Sequence, residues 1–320
     1  MKKRTLILAF ALGMTTLAEA QTNNGGITAD MLEFITAQPE KTQAQKALQN
    51  AVRNNGIELL TIGEAQRLPV PKTFSIETPK QSIHDQKSSG RCWMFSGMNV
   101  LRADFAAANE GKVVEFSQSH LFFWDQLEKS NLMLQGIIDT GKKAIGDPEV
   151  QFFFKYPVSD GGTFCGVMDL VDKYGLVPQS VAPETFSSES TTQIDKILRS
   201  KLREYGLRLR KMVSTNRKAK EITAQKTAML KDIYRILAMA YGEPVKEFKY
   251  AHVDKNGKTV TEEKTYTPLS FAKECGATNL SERYIMVMND PRNPYHKVYE
   301  IQHDRHECQH HSHSSHQVHF

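Results

Sequence analysis

A cysteine at the start of a predicted helix is the strongest nucleophile candidate in this 320-residue sequence. After Cys92, apolar residues recur at intervals of four, three and four between Met94 and Phe105, which predicts one buried helical face. The first turn of a helix carries unpaired backbone N–H groups and a partial positive charge, and both favour a thiolate. Since the thiolate is the reactive form, we predict nucleophilic catalysis at Cys92, with a buried core thiol as the alternative.

Residues around the cysteine complete this chemistry. Gln86 lies six residues earlier, and we expect its side-chain amide N–H to lie close to the nucleophile. Together with the Cys92 backbone N–H it would form a two-donor oxyanion hole, which stabilises the charge that develops on a carbonyl oxygen. Gly90 allows a close turn, and Trp93 is expected to pack beneath the helix as an anchor.

The segment 86–95 resembles the nucleophile segment of papain-like cysteine peptidases. Its Ser-Gly-Arg-Cys-Trp version is similar to the branch of bleomycin hydrolase and aminopeptidase C. The likeness covers roughly residues 65 to 302 and is carried by further segments at 115–125, 160–163, 174–178, 183–185, 267–269 and 289–292.

This resemblance implies a fold, an activity and an assembly. The fold is α+β and papain-like, with a helical lobe, a helical insertion and only the start of the β lobe. Cys92 is the nucleophile, Gln86 the oxyanion donor, and Gly161, Gly162 and Trp93 bind substrate in the cleft. The activity is aminopeptidase hydrolysis of peptide or amide bonds through an acyl-enzyme, without a cofactor. The assembly is a homohexameric ring, which in some members binds nucleic acid.

The base of such a peptidase is not found where it is expected. A His and an Asn lie roughly 130–150 residues beyond the Cys in papain-type enzymes, and the window 222–242 contains no His. His252 is the nearest candidate, and we interpret it as a surface strand residue. In the resembled branch both residues lie beyond the end of this chain. We therefore expect the chain alone to be inactive, and unstable or aggregating because its helices expose an apolar face.

Histidine is concentrated at the end of the chain, where seven of 11 fall within the last 18 residues. Four interpretations compete for this tail: a source of the catalytic His, a metal site around His306, Cys308 and His310, a solvated tail, or a broken reading frame. We favour the last, because it explains both the abrupt change of composition and the missing His and Asn. No metal site is therefore assigned.

The first twenty residues predict a secretory signal. A basic start precedes an apolar run from Leu6 to Leu17, and Ala18-Glu19-Ala20 fits a cleavage site after Ala20. The expected location is secreted or periplasmic, with no membrane span. The spacing of the four cysteines does not resemble a disulfide framework, and Cys165 is expected in the core.

The elements that position these residues follow from caps and periodicity. We divide the chain into a signal at 1–20, an N-terminal arm at 21–82, a peptidase region at 83–302 and the tail at 303–320. Helices are predicted at 28–35, 42–54, 148–153, 163–174, 191–213 and 217–241, the last two forming the insertion. An Asn256-Gly257 turn predicts a hairpin that pairs 248–253 with 259–261, and 284–288 predicts a strand.

Charge is concentrated on the insertion. Twelve Lys and Arg and two acids lie between Lys196 and Lys231, a local charge of +10 that leaves −5 for the rest of a +5 chain. The solvated face of two amphipathic helices is the first interpretation. The second is a surface for nucleic acid or another polyanion. Tyr205 is the single aromatic residue between Lys196 and Lys231, so the stretch offers little for the stacking of bases. The alternative function is therefore a non-catalytic peptide- or polyanion-binding protein on the same scaffold.

Overall fold

The computed structural model describes residues 25–37, 39–63, 73–300 and 316–319. The predicted signal at 1–20 and the possible metal ligands His306, Cys308 and His310 lie outside these residues. The chain divides into two compact units, one up to Ser75 and one from Ile76. Over the part of the chain described, no helix is both long enough and apolar enough to cross a membrane.

The first unit contains three helices, α1 (Ala29–Thr36), α2 (Gln43–Asn54) and α3 (Ile57–Thr61). The predicted starts of the first two are confirmed. The Thr28 hydroxyl accepts a hydrogen bond from the Met31 N–H, and Thr42 forms a reciprocal capping box with Gln45. These caps satisfy backbone donors that a helix start otherwise leaves unpaired.

Four helices of the second unit build the core around the nucleophile, namely α4 (Cys92–Ala108), α5 (Gln118–Asp139), α6 (Pro148–Lys155) and α7 (Phe164–Tyr174). The Asp147 cap confirms the predicted start of α6, and Gly175, whose φ is +73°, confirms the predicted end of α7. The helix α5 packs against α4, α6 and α7. Leu101 and Phe105 of α4 and Leu121, Leu134 and Ile137 of α5 are buried in one shared core.

The predicted insertion is a long helical hairpin. After the short α8 (Phe186–Glu189), α9 (Thr192–Ser214) and α10 (Ala219–Tyr241) pack against each other and against α5. Their inward residues recur at helical spacing and are buried: Ile194, Leu198, Leu202, Tyr205 and Leu209 on α9, and Ile222, Met229, Ile233 and Leu237 on α10.

The strands follow the helices and form two small sheets. β1 (Phe248–Tyr250) pairs antiparallel with β2 (Lys264–Tyr266), and α11 (Pro268–Glu274) and α12 (Leu280–Arg283) come next. The second sheet has the order β3-β5-β4, from β3 (Met286–Met288), β4 (Val298–Glu300) and β5 (His316–His319). The α+β prediction and the strand within 284–288 are thus confirmed.

One strand prediction is wrong. The partner of 248–250 is 264–266 rather than 259–261. The Asn-Gly turn does form: Val253 and Thr259 form an isolated bridge, and the Val260 N–H donates to the His252 carbonyl at 2.8 Å. The tail also contains a strand, β5, which pairs parallel with β3 and antiparallel with β4. Backbone pairing alone can form such a strand, and a sequence without alternation does not reveal it.

Candidate active site

Cys92 is exposed and forms the first residue of α4. The N-cap residue Arg91 offers no side-chain acceptor, and its carbonyl accepts bonds from the N–H groups of Met94 and Phe95. The N–H of Cys92 itself precedes this ladder and belongs to the helix turn that lacks intrahelical acceptors. The thiol therefore stands where a helix favours negative charge, as predicted.

Gln86 lies in a tight turn just before the cysteine. Its amide nitrogen Nε2 donates to the Ser89 carbonyl at 2.7 Å, and the Ser89 hydroxyl donates to the Gln86 carbonyl at 2.7 Å. Between them Lys87 has a φ of +54°, in the left-handed region that non-glycine residues rarely adopt. An amide nitrogen carries two hydrogens, so one is left for an oxyanion. The role of Gln86 stays a prediction.

Gly90 is held by a carboxylate to which sequence reasoning assigns no role. The Gly90 N–H donates to Oδ2 of Asp160 at 2.6 Å, and the Thr191 hydroxyl donates to the same oxygen at 2.7 Å. A Cβ at position 90 would lie 2.6 Å from Asp160 Oδ1, a distance that real Cβ contacts do not reach. Glycine is therefore required here by close approach.

The two predicted cleft glycines meet the residue that follows the nucleophile. A Cβ on Gly162 would lie 2.6 Å from the Trp93 ring, whose indole N–H donates to the Asp160 carbonyl at 2.8 Å. Lys129 lies over the same ring at 5.2 Å and donates to the Gly161 carbonyl at 2.5 Å. The structure thus brings Trp93, Gly161 and Gly162 together. The Trp93 ring is buried, as an anchor should be, and substrate binding by these three residues stays a prediction.

A buried ion pair lies behind the nucleophile. Arg91 is fully buried, and its guanidinium makes two bonds to the Glu184 carboxylate, at 3.1 and 2.9 Å. Arg91 Nε also donates to the Ser89 hydroxyl at 3.0 Å, and the guanidinium stacks over Phe95 and Phe122. Because the charge is paired and its donors are used, burial of this arginine is tolerated.

His252 is buried, so its interpretation as a surface residue is wrong. Its ring stacks on Phe105 at 5.3 Å and on Phe271 at 6.0 Å, and its Nε2 pairs with Glu274 at 3.2 Å. Burial lowers the pKa of His252 below its usual value. Phe105 stands thirteen residues after Cys92 on α4, about 20 Å along the helix axis. His252 therefore belongs to a packed aromatic cluster, away from the nucleophile.

Two further histidines have structural surroundings. His120 on α5 is 4% exposed, and burial lowers its pKa to about 4. His84 pairs with Glu115 at 2.8 Å, beside a bond from Arg102 to the same carboxylate. Burial also lowers the pKa of His84.

The other described thiols, Cys165 and Cys275, are buried. Cys165 is 5% exposed, which confirms its place in the core, and burial raises the pKa of the Cys275 thiol. Within the described ranges, no group of three or more His, Cys, Asp and Glu side chains is arranged to hold a metal ion.

Several cationic side chains of the insertion form hydrogen bonds or ion pairs within the fold. Arg203 donates to the last carbonyls of α6, and Arg210 to the carbonyls of Thr140 and Lys143 after α5. Other cations pair with acids or a polar side chain: Arg199 with Asp195, Lys201 and Arg208 with Glu204, Arg217 with Glu221, and Lys226 with Gln135. Part of the positive charge of the insertion therefore has partners within the fold, while the pairs of Arg208 and Arg217 are exposed.

Comparison with known proteins gives one family. The model of the Peptidase C1-like family matches residues 26–312. Aminopeptidase C of Lactobacillus delbrueckii subsp. lactis is 37% identical over 278 residues, which are 86% of this chain and 62% of that protein. Bleomycin hydrolase of Homo sapiens is 32% identical over 287 residues, which are 87% of this chain and 57% of that protein.

A solved structure shows the same fold. The crystal structure of PepW from Lactobacillus rhamnosis HN001 superposes with a TM-score of 0.78 at 35% identity, covering 87% of this chain and 62% of that one. The chain therefore spans about three fifths of the length of the proteins it matches. The predicted resemblance to the branch of aminopeptidase C and bleomycin hydrolase is confirmed.

Proposed function

This chain belongs to the Peptidase C1-like family, and from that membership we propose that it carries the nucleophile of a cysteine aminopeptidase. The observation that carries the proposal is the exposed Cys92 at the uncapped start of α4, next to the packed pair of Trp93 and Gly162. The aminopeptidase and bleomycin hydrolase relatives support hydrolysis of a peptide or amide bond.

The proposed reaction has two steps. The Cys92 thiolate adds to the carbonyl carbon, and the carbonyl oxygen takes up the negative charge between the Cys92 N–H and the Gln86 amide. Collapse breaks the C–N bond, and the amine leaves with a proton from a general acid, giving a thioester. Water then adds to the thioester, the base takes its proton, and the acid product leaves as the thiol is regenerated.

We further propose that none of His84, His120 and His252 serves as the base. His252 is held in the aromatic cluster, His120 is buried in α5, and His84 is paired with Glu115. Without a base beside Cys92, the acyl-enzyme would neither form nor break down at a useful rate. We propose that the purified 320-residue chain turns over no aminoacyl amide; thiol-inhibitor-sensitive turnover would contradict this part of the proposal and would place the base among the other histidines of the chain.

The nucleophile itself is tested by covalent labelling, which needs no turnover. A dipeptide vinyl sulfone should label wild-type protein at Cys92 and leave Cys92→Ser unlabelled. Gln86→Ala should lower the labelling rate by about tenfold or more if the amide stabilises developing charge. Gln151→Ala is the matched control, because that exposed amide also donates to a backbone carbonyl, Ile145, at 2.6 Å. Labelling that is equal at Cys165 or Cys275, or unchanged in Gln86→Ala, would contradict the assignment.

A second candidate function is polyanion binding at the tip of the insertion. A cleft of about 710 Å³ lies between α9 and α10, lined by Arg208, Lys211, Arg217 and Lys218 above Met212 and Met229. Lys211→Glu with Lys218→Glu should weaken binding of a single-stranded oligonucleotide, and wild-type affinity should fall steeply with salt. Weak binding that does not depend on salt would contradict this candidate.

Export and assembly are proposed on the sequence alone. A leader cleaved after Ala20 would place the protein outside the cytoplasm, and N-terminal sequencing of the secreted protein tests it. The homohexameric ring implied by the resemblance predicts a sixfold mass in light scattering, and a monomer at all concentrations would contradict it.

A further inference from the structure

Asp160 makes hydrogen bonds on both sides of the proposed nucleophile. Its Oδ2 accepts from the Gly90 N–H at 2.6 Å, two residues before Cys92. Its main-chain oxygen accepts from the Trp93 indole N–H at 2.8 Å, one residue after Cys92. The ends of the nucleophile turn are therefore fixed to the backbone and side chain of one residue.

The same residue leads directly into the exposed glycine pair. Gly161 and Gly162 follow Asp160 in the chain, and Gly162 lies against the Trp93 ring with no room for a Cβ. Lys129 holds the Gly161 carbonyl and also pairs with the buried Asp125 at 2.8 Å. A displacement of Asp160 would consequently move the glycine pair and the nucleophile turn together.

A third segment meets the carboxylate. The Thr191 hydroxyl donates to the same Oδ2 at 2.7 Å, at the N-cap position of α9. Next to it, the Ser88 N–H donates to the Glu189 carbonyl at 2.9 Å. The start of the helical insertion is thus tied to the loop that carries Gly90.

We propose that Asp160 is a positioning residue that fixes the spacing between the Cys92 thiol and the Gly161–Gly162 wall of the cleft. This inference rests on the proposed function only for the identity of the nucleophile. Asp160 itself takes no part in bond making or proton transfer. Its carboxylate oxygen accepts hydrogen bonds from the Gly90 N–H and the Thr191 hydroxyl. The oxygen of a neutral amide can accept the same two bonds.

The experiment compares Asp160→Ala, which removes the acceptor, with Asp160→Asn, which keeps one. Backbone amide exchange of peptides covering 86–95 and 160–163 is measured by mass spectrometry, with the rate of dipeptide vinyl sulfone labelling at Cys92. We expect Asp160→Ala to accelerate exchange in both segments and to slow labelling by about tenfold or more, while Asp160→Asn stays within about threefold of wild type. Asp254→Ala is the control, since Asp254 also accepts two backbone N–H groups, from Asn256 and Lys258, in a distant turn.

The results separate this inference from the proposed function. Unchanged exchange in Asp160→Ala, or equal effects of the Ala and Asn variants, would overturn the positioning role. If wild type is not labelled at all, the proposed function fails, yet the exchange data still decide whether Asp160 positions both segments. Should Asp160→Ala not fold, Thr191→Val removes one of the two bonds to Oδ2, and coupled acceleration in both segments is again the expected result.

Discussion

The buried pair of Arg91 and Glu184 gives a prediction about stability behind the nucleophile. We predict that Glu184→Ala, which removes the carboxylate and leaves the arginine, destabilises the second unit strongly. The Arg91 side chain is 1% exposed, so its charge cannot reach water when its partner is lost. The remaining described acceptor is the Ser89 hydroxyl, which pairs with Nε alone.

The size of this effect follows chiefly from the loss of the partner of Arg91, and the Ser188 hydroxyl loses its bond to Glu184 as well. Both guanidinium bonds to Glu184, at 3.1 and 2.9 Å, would be lost at once. Removing one partner of a buried pair costs about 3–5 kcal/mol, because the other charge stays buried without compensation. For a unit of this size each kcal/mol shifts Tm by about 2–4 °C, so we expect a fall of roughly 6–20 °C.

Urea and thermal unfolding of the two proteins measure this loss. The control is Glu204→Ala, because Glu204 pairs with Arg208 on the surface, where side chains are 40% and 60% exposed. Such a pair contributes at most about 1 kcal/mol. The reasoning is refuted if Glu184→Ala loses no more stability than Glu204→Ala. The double variant Arg91→Met, Glu184→Leu should recover part of the loss, since no unpaired charge then remains.

Three further predictions address the cleft, pH and the thiols. Gly162→Ala should cost about 1–3 kcal/mol, because the new Cβ meets the Trp93 ring at 2.6 Å; unfolding that matches wild type would contradict this packing. His120 has its pKa lowered to about 4 in the fold, so below pH 6.5 the unfolded state binds a proton that the folded state does not. Wild type should therefore lose about 2 kcal/mol more than His120→Phe between pH 7 and pH 5, and equal losses in urea unfolding would refute it. Iodoacetamide should modify Cys92 well before the buried Cys165 and Cys275 in native protein, as read by peptide mass mapping.

Local structure was largely predictable because its causes are local in the sequence. Thr28, Thr42 and Asp147 cap helices through bonds to residues two or three positions away, and Gly175 ends α7 through its own φ. Amphipathic spacing likewise identified both helices of the insertion. The wrong strand partner of 248–250 arose because pairing depends on residues beyond the visible turn.

The candidate site was predictable in part for the same reason. Gln86, Gly90, Cys92 and Trp93 lie within one short segment, so their types and spacing suffice to propose a nucleophile and its oxyanion donor. Contacts between distant segments carry no such signal. Neither the Asp160 bond to Gly90 nor the Glu184 bond to Arg91 follows from spacing, since each joins residues 70 or more positions apart.

The same limit explains the misplaced histidine. His252 sits among polar and β-prone residues, which is typical of a solvated hairpin. Its burial depends on Phe105 from α4 and Phe271 from α11, which close over both faces of the ring. The bonds from Arg203 and Arg210 to backbone carbonyls of other segments are long-range contacts of the same kind, which the sequence does not reveal.

The rate of covalent labelling at Cys92 tests the central claim most directly. Wild type, Cys92→Ser, Gln86→Ala and Gln151→Ala are treated with a dipeptide vinyl sulfone, and the modified residue is mapped by mass spectrometry. We expect a single modified thiol at Cys92, a rate about tenfold or more lower in Gln86→Ala, and no change in Gln151→Ala. A Cys92 that reacts no faster than an unfolded thiol, or a rate indifferent to Gln86, would contradict it.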